Sequence, residues 1–158
     1  MLEFEHLVQV NDLNNSNINA LSRSQLWRGL VMRAQHPEKF IRSLDCQTKL
    51  LGEHEFLRTI NAGGSTFCER VELFPEERIH TSTVSDREQI KAESTTSIEE
   101  PEAGYLFVRF KYKRELEDTD DQVDVGEHLK AAYVQVDRDA IAMIRMLAES
   151  ELLDQSIN

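Results

Sequence analysis

Apolar residues recur in steps of three and four near the end of the chain, from about Asp124 to Leu153. This spacing places them on one face of an α-helix. The residues of this face are Val125, Leu129, Ala132, Tyr133, Val136, Ala140, Ile144, Leu147 and Ala148. At ~1.5 Å per residue the helix would be ~45 Å long. The pattern predicts a long C-terminal helix, with Asp124 as its N-cap, that needs a broad partner surface.

A different pattern, in which apolar and polar residues alternate, precedes this helix and indicates strands. The predicted strands are Phe4–Val10, Leu44–Leu50, Glu55–Ala62, Ser65–Phe74, Arg78–Val84, Gln89–Ile98 and Tyr105–Lys113. Short turns join most of them, and Gly63-Gly64 suits the positive φ angles of a two-residue hairpin. Consecutive strands joined in this way are typical of an antiparallel meander.

Two short helices are predicted between the first strand and the second. The polar, Asn-rich segment Asn11–Ala20 reads as a loop, and Ser22 with Gln25 has the spacing of a capping box. Pro37 can begin a second, shorter helix. The apolar residues of the two helices are Leu26, Trp27, Leu30, Val31 and Ala34, then Phe40 and Ile41. We therefore expect one α+β domain over residues 1–158, with a curved seven-stranded antiparallel sheet wrapped around the long helix.

Composition and charge narrow the class of protein. The chain has 158 residues, with 29 acidic against 18 basic side chains and a net charge of −11. Binding to nucleic acid is not expected, because phosphate contacts need clustered Lys and Arg. The longest apolar runs are too short for membrane insertion, and the N-terminus lacks the pattern of a signal peptide, so a cytoplasmic protein is expected. The oligomeric state is left open.

No motif in the sequence specifies a reaction, a metal or a cofactor. Cys46 and Cys68 lack ligand spacing and are expected to be reduced thiols, and the five histidines form no zinc signature. The acidic run Glu117–Asp121 lacks the central glycine and the terminal Glu of a calcium loop. Phosphate-binding loops, dinucleotide fingerprints and nucleophile elbows are also missing. We expect neither a metal nor a cofactor.

The Gly63-Gly64 turn predicts the pairing of the two strands that it joins. Four residue pairs should lie on one side of the sheet: Ala62 with Ser65, Ile60 with Phe67, Arg58 with Glu69, and Phe56 with Val71. This mostly apolar side should face the long helix. The prediction therefore sets one opposite charge pair, Arg58 and Glu69, on an apolar surface.

Two interpretations of this pair remain open. It can be solvated near an open rim, since long charged side chains are seldom fully buried. Alternatively, Arg58 and Glu69 can be the polar anchors of a mostly apolar ligand cavity, in which Arg58 holds a carboxylate or phenolate.

The rest of this face supplies further candidates for ligand binding. Its centre consists of small residues, and one hypothesis is that they do not reach the helix and so leave a hollow interior. Aromatic side chains can equally fill the space. With Arg58 and Glu69, the candidate ligand-binding residues are Phe56, Ile60, Phe67, Val71, Thr81, Ser94, Thr96, Phe110, Tyr112, Tyr133 and Val136. Glu69 and His6 are weak catalytic candidates, although His6 on an apolar face is more often a hydrogen-bonded core histidine.

Three stretches carry a resemblance to a known family: FEHLVQVN at 4–11, LSRSQLWRGL at 21–30, and IEEP at 98–101 followed by LFVRFKY at 106–112. The chain resembles helix-grip proteins of the SRPBCC superfamily, which includes START domains, Bet v 1-like proteins and polyketide cyclases. More narrowly, it is similar to the AtaL-like family of uncharacterised proteins. The glycine-rich loop of the Bet v 1 group is missing, since only Gly52 lies between the second and third strands.

The resemblance implies an apolar cavity between the sheet and the long helix that holds a lipid, a polyketide or another hydrophobic molecule. Our first hypothesis is a binding protein for a small hydrophobic or amphipathic ligand, without catalysis. The second is a cyclase, aromatase or hydrolase acting on such a molecule, with Glu69 or His6 moving protons. The third is a protein-interaction module like the chaperone activators of the same fold.

Overall fold

The architecture is an antiparallel sheet packed against helices, seen in a computed structural model that describes residues 1–84, 89–116, 122–150 and 152–155. The elements are β1 (Leu2–Gln9), α1 (Arg23–Gln35), a 3-10 turn (Pro37–Lys39), β2 (Leu44–Gly52), β3 (Glu55–Ala62), β4 (Ser65–Phe74), β5 (Arg78–Thr83), β6 (Ala92–Glu102), β7 (Tyr105–Arg114), α2 (Gln122–Glu149) and α3 (Leu152–Gln155). The strands form one sheet in the order β1-β7-β6-β5-β4-β3-β2. The predicted seven-stranded α+β helix-grip fold is confirmed.

The hairpin between β3 and β4 has the predicted register. Gly63 and Gly64 have φ angles of 54° and 89°, which glycine adopts without the steric cost of a side chain. The turn fixes the pairing, and the four pairs predicted from it are all present, with Arg58 opposite Glu69. Because side chains alternate along a strand, this register sets which residues face the helices.

Helix α1 begins with the predicted capping box. The Ser22 hydroxyl accepts a hydrogen bond from the Gln25 amide, and the Gln25 side chain accepts one from the Ser22 amide. Two amides that the helix would leave unpaired are thus satisfied. The second predicted helix is only a single 3-10 turn, begun by Pro37.

The apolar core lies between the inner face of the sheet and the helices. Its largest fully buried members are Phe56, Phe110, Leu26, Leu30, Leu106, Ile144, Leu153, Val10, Val71 and Val108. Much of the predicted face of helix α2 is confirmed, since Ala140, Ile144 and Ala148 are buried. The predicted residues Val125 and Ala132 are exposed, whereas Asp137 and Ile141, which the apolar pattern did not include, are buried.

Several predicted boundaries were wrong. Helix α2 begins at Gln122, so Asp124 lies inside the helix and is not its N-cap. At the other end α2 stops at Glu149, where the Ser150 hydroxyl donates to the Met146 carbonyl, and α3 follows as a separate turn.

Strand β6 also differs from its prediction, because it begins at Ala92 and runs to Glu102. Gln89 lies before the strand, and its side chain accepts from the Cys68 amide at 3.0 Å and donates to the Cys68 carbonyl at 2.8 Å. The Gln89 side chain thereby makes the two hydrogen bonds to Cys68 that the backbone of a neighbouring strand residue would otherwise make. The acidic run Glu117–Asp121 lies outside the described residues.

Within the described part of the chain, no helix has the length and apolar character needed to span a membrane.

The closest approach of α1 to α2 depends on Gly29. A Cβ placed there would lie 2.7 Å from Cγ1 of Ile144 and closer still to Cγ2. Ile144 is fully buried, and its branched side chain has few alternative rotamers. The glycine therefore lets the two helices pack in contact.

We predict that Gly29→Ala destabilises the protein by about 1–3 kcal/mol, because overpacking outweighs the gain in helix propensity. Chemical denaturation measures this, and Ile144→Ala in the same chain should recover part of the loss. Gly52→Ala is the control, since a Cβ there meets nothing within 4 Å. Equal stability of Gly29→Ala and Gly52→Ala would contradict the close packing.

Candidate functional site

A cavity of about 260 Å³ lies between the inner face of the sheet and helices α1 and α2. Nine of the thirteen predicted ligand-binding residues line it: Arg58, Ile60, Glu69, Thr81, Ser94, Thr96, Tyr112, Tyr133 and Val136. The other four do not. Phe56, Val71 and Phe110 are buried in the core, and Phe67 is 42% exposed. The predicted β3–β4 pairing was right for Phe56, Phe67 and Val71, but pairing alone does not determine which residues of a face reach open space.

The floor of the cavity includes small side chains from two neighbouring strands, β5 and β6, with Tyr112 of β7 beside them. Thr81 of β5 pairs with Ser94 of β6, and Ser94 pairs in turn with Tyr112 of β7. Thr96 lies on the same face of β6, two residues along. Threonine and serine are too short to reach helix α2 from the sheet, so space remains beneath Tyr133 and Val136.

Arg58 and Glu69 form an ion pair on the cavity wall. The Arg58 Nε donates to Oε1 of Glu69 at 2.9 Å, and its Nη1 donates to the Ala34 carbonyl at 2.8 Å. The two side chains are 15% and 21% exposed. Arg58 thus satisfies a carbonyl near the C-terminus of α1, where a cation also interacts favourably with the helix dipole. The pair lines the cavity and also ties α1 to the sheet.

A second polar cluster surrounds Asp137, which is fully buried on α2. Its Oδ1 accepts from Nη2 of Arg33 at 2.6 Å. Its Oδ2 accepts from the Tyr112 hydroxyl at 2.6 Å and lies 2.7 Å from Nε2 of His6. Buried charges persist only when they are paired and hydrogen-bonded. Residues of β1, β7 and α1 therefore converge on one carboxylate.

The Tyr112 hydroxyl connects this cluster to the cavity. Burial and the neighbouring Asp137 carboxylate raise the pKa of Tyr112 above its ordinary value. The hydroxyl therefore stays protonated and donates a hydrogen bond to Asp137. Its oxygen retains lone pairs that can accept a hydrogen bond from the cavity side.

Stacked aromatic rings border the cavity between β7, β1 and α2. Tyr112 and Tyr133 stack with ring centroids 4.1 Å apart, and Phe4 packs on Tyr112 at 5.4 Å. The Arg114 Nη1 donates to the Tyr133 hydroxyl at 3.2 Å. This stack holds the middle of α2 against the edge of the sheet.

The two weak catalytic candidates lie in different places. Glu69 lines the cavity beside Arg58. His6 contacts Asp137 and stacks on Phe110, with centroids 5.1 Å apart, and it is not part of the cavity wall. Its partner, which the sequence did not identify, is Asp137.

Sequence reasoning missed Asp137, Arg33 and Arg114. A signal existed for the first: Asp137 falls four residues after Tyr133 and three before Ala140, so it interrupts the apolar face of α2. Arg33 similarly follows Leu30 by three residues on α1. A charged residue at such a position indicates a buried partner, but it does not say which strand supplies that partner.

Among the described residues, no group of three or more His, Cys, Asp or Glu side chains is arranged to hold a metal ion.

Solved structures with the same fold include proteins described as aromatase/cyclases. The di-domain ARO/CYC StfQ of the steffimycin biosynthetic pathway superposes with a TM-score of 0.71 at 10% identity, over 96% of this chain and 52% of StfQ. This chain thus spans about half the length of StfQ. The Zhui aromatase/cyclase from Streptomyces sp. R1128 gives 0.63 at 14% identity, over 95% of this chain and 94% of Zhui.

Aha1, which is not described as an aromatase or cyclase, shares the fold as well. The Aha1 dimer from Colwellia psychrerythraea gives a TM-score of 0.56 at 17% identity, over 89% of this chain and 96% of Aha1. At these identities the likeness shows the fold alone.

The sequence itself matches one family over most of its length. No curated protein sequence matches the chain. The family described as acetylaranotin biosynthesis cluster protein L, or AtaL, matches residues 8–151. These residues include the capping box, the Arg58–Glu69 pair and Asp137. The chain therefore belongs to the AtaL family.

Proposed function

We propose that the protein binds a small hydrophobic or amphipathic molecule, of lipid, polyketide or aromatic type, in the cavity between the sheet and α2. The observation that carries this proposal is the cavity of about 260 Å³, floored by small residues and walled partly by charged ones. Its volume is slightly below the ~300–1,000 Å³ of typical sites for drug-sized ligands. The ligand, or the part of it that is enclosed, is therefore small.

The chemistry of the wall supports an amphipathic ligand. Aliphatic side chains such as Leu30, Ile60 and Val136 offer apolar contact, and the Arg58–Glu69 pair offers a polar point. Mostly apolar lining with a few placed polar groups is the usual composition of a small-molecule site. The aromatase/cyclase names of StfQ and Zhui agree with a polyketide-like ligand, although a fold by itself does not determine function.

We predict that a small molecule co-purifies with the protein and that Thr96→Phe prevents this. Native mass spectrometry followed by organic extraction measures the bound molecule. Thr96 lines the cavity, so a phenyl ring at this position fills space that the ligand needs. Ser97→Phe, on the opposite face of β6, is the matched control and should retain the ligand.

Circular dichroism and thermal unfolding would establish that both variants are folded. A folded Thr96→Phe protein that carries as much of the molecule as the wild type would contradict the proposed site.

A further prediction concerns the ion pair between Arg58 and Glu69. Arg58→Leu alone leaves the Glu69 carboxylate and the Ala34 carbonyl without their partner, so we expect it to lower stability by about 1–3 kcal/mol. The double variant Arg58→Leu/Glu69→Leu removes both charges, and its stability should be closer to that of the wild type. We expect the double variant to lose polar ligands and to retain apolar ones, as measured by extraction. Retention of every wild-type ligand would remove the pair from the site.

An enzyme that acts on such a molecule is the second candidate function. The observation that favours it is the Tyr112 hydroxyl on the cavity wall, with Asp137 and His6 behind it. Such a chain of hydrogen bonds can orient a proton donor or acceptor. Turnover of the extracted molecule that is lost in Tyr112→Phe, with binding retained, would favour this function over simple binding.

A further inference from the structure

The described part of the cavity wall has a charge of opposite sign to the whole protein. Its charged side chains are four basic ones and two acidic ones, Arg33, Arg58, Lys113, Arg114, Glu69 and Glu93. The complete chain carries a net charge of −11. Basic residues are thus concentrated where the chain as a whole is acidic, which raises the local concentration of anions.

The three arginines of the wall differ in how far their donors are occupied. Arg58 donates to Glu69 and to the Ala34 carbonyl. Arg114 donates to the Tyr133 hydroxyl and to the Glu115 carbonyl. Arg33 donates from Nη2 to Asp137, and none of its other nitrogens has a hydrogen-bond partner among the described residues. Since a guanidinium has five N–H donors, Arg33 has the most donor capacity left.

The position of Arg33 is nevertheless well defined. Asp137 holds its Nη2 at 2.6 Å, and the guanidinium lies over the Phe110 ring, 5.6 Å from the centroid. Its side chain is 22% exposed, and the residue lines the cavity. Asp137 engages only Nη2, so Nη1 and Nε of Arg33 keep their N–H groups available to a ligand. Arg33 is therefore oriented in advance, which lowers the entropic cost of binding.

The neighbouring Tyr112 cannot take over this role. Its hydroxyl proton is committed to Asp137, so toward the cavity it offers only an acceptor. Arg33, which contacts the same carboxylate, offers charged hydrogen-bond donors at this end of the cavity.

We infer that Arg33 is the anion-recognition residue of the cavity, and that the ligand is a small apolar body bearing one anionic oxygen group of the carboxylate, phenolate or enolate class. This inference rests on the proposed function. It adds the charge of the ligand and the residue that binds the charged group. Hydrogen bonds from a guanidinium to an oxyanion are about twice as strong as neutral ones. A charged ligand should therefore be preferred over a neutral one of the same shape.

Two probes that share one ring system test this inference: 2-naphthoate and 2-naphthamide, titrated by calorimetry at neutral pH and low salt. The wild type should bind the carboxylate at least tenfold more tightly than the amide. Arg33→Met should weaken 2-naphthoate by about ten- to hundredfold, the effect of one charged hydrogen bond, and change 2-naphthamide by much less. Arg33→Lys keeps the charge and should preserve the preference for the anion.

Arg70→Gln is the control for loss of a positive charge outside the cavity, since Arg70 pairs with Glu55 and its side chain is 53% exposed. It should leave the ratio of the two affinities unchanged. Equal affinities for the two probes in the wild type, or an unchanged ratio in Arg33→Met, would overturn the assignment of Arg33. If neither probe binds to the wild type, the proposed binding function itself fails.

Discussion

The buried carboxylate of Asp137 imposes the strongest constraint on this structure. It has no contact with solvent and accepts hydrogen bonds from Arg33 on α1, Tyr112 on β7 and His6 on β1. An ionised group in such a place costs several kcal/mol when a partner is removed. The three donors must therefore remain in position together. This requirement sets how α2 lies against the first and last strands and where α1 crosses it.

The cavity is a consequence of this arrangement. Asp137 fastens the middle of α2 over β1 and β7, while Arg58 fastens the end of α1 to β3 and β4 through the Ala34 carbonyl. Between these two polar attachments the sheet contributes several short side chains, among them Thr81, Ser94 and Thr96. An apolar interface normally closes to the density of a crystal. Here directional hydrogen bonds hold the layers at a distance that the floor residues do not fill.

Local patterns in the chain were enough to determine the fold class and part of the site. The Gly63-Gly64 turn required positive φ angles, and this alone predicted the β3–β4 register and the Arg58–Glu69 pair. Alternation along β5, β6 and β7 placed Thr81, Ser94, Thr96 and Tyr112 on the inner face. These patterns involve only residues that are close in the sequence, so they can be recognised without knowledge of the rest of the chain. Phe67 shows the limit, because it has the correct register and is still 42% exposed.

Only the tertiary structure decided which residues meet across the sheet and the helices. His6 and Asp137 are 131 positions apart. The sequence around either residue does not indicate that the other is its partner. The sequence displayed an acidic residue within the apolar face of α2, but its donors come from three separate elements. The exact orientation of α2 depends on the summed packing of the core and on the pairing of buried charges. The chain by itself therefore determined its strands, its turns and one charge pair, whereas the cavity and the buried cluster around Asp137 required the folded molecule.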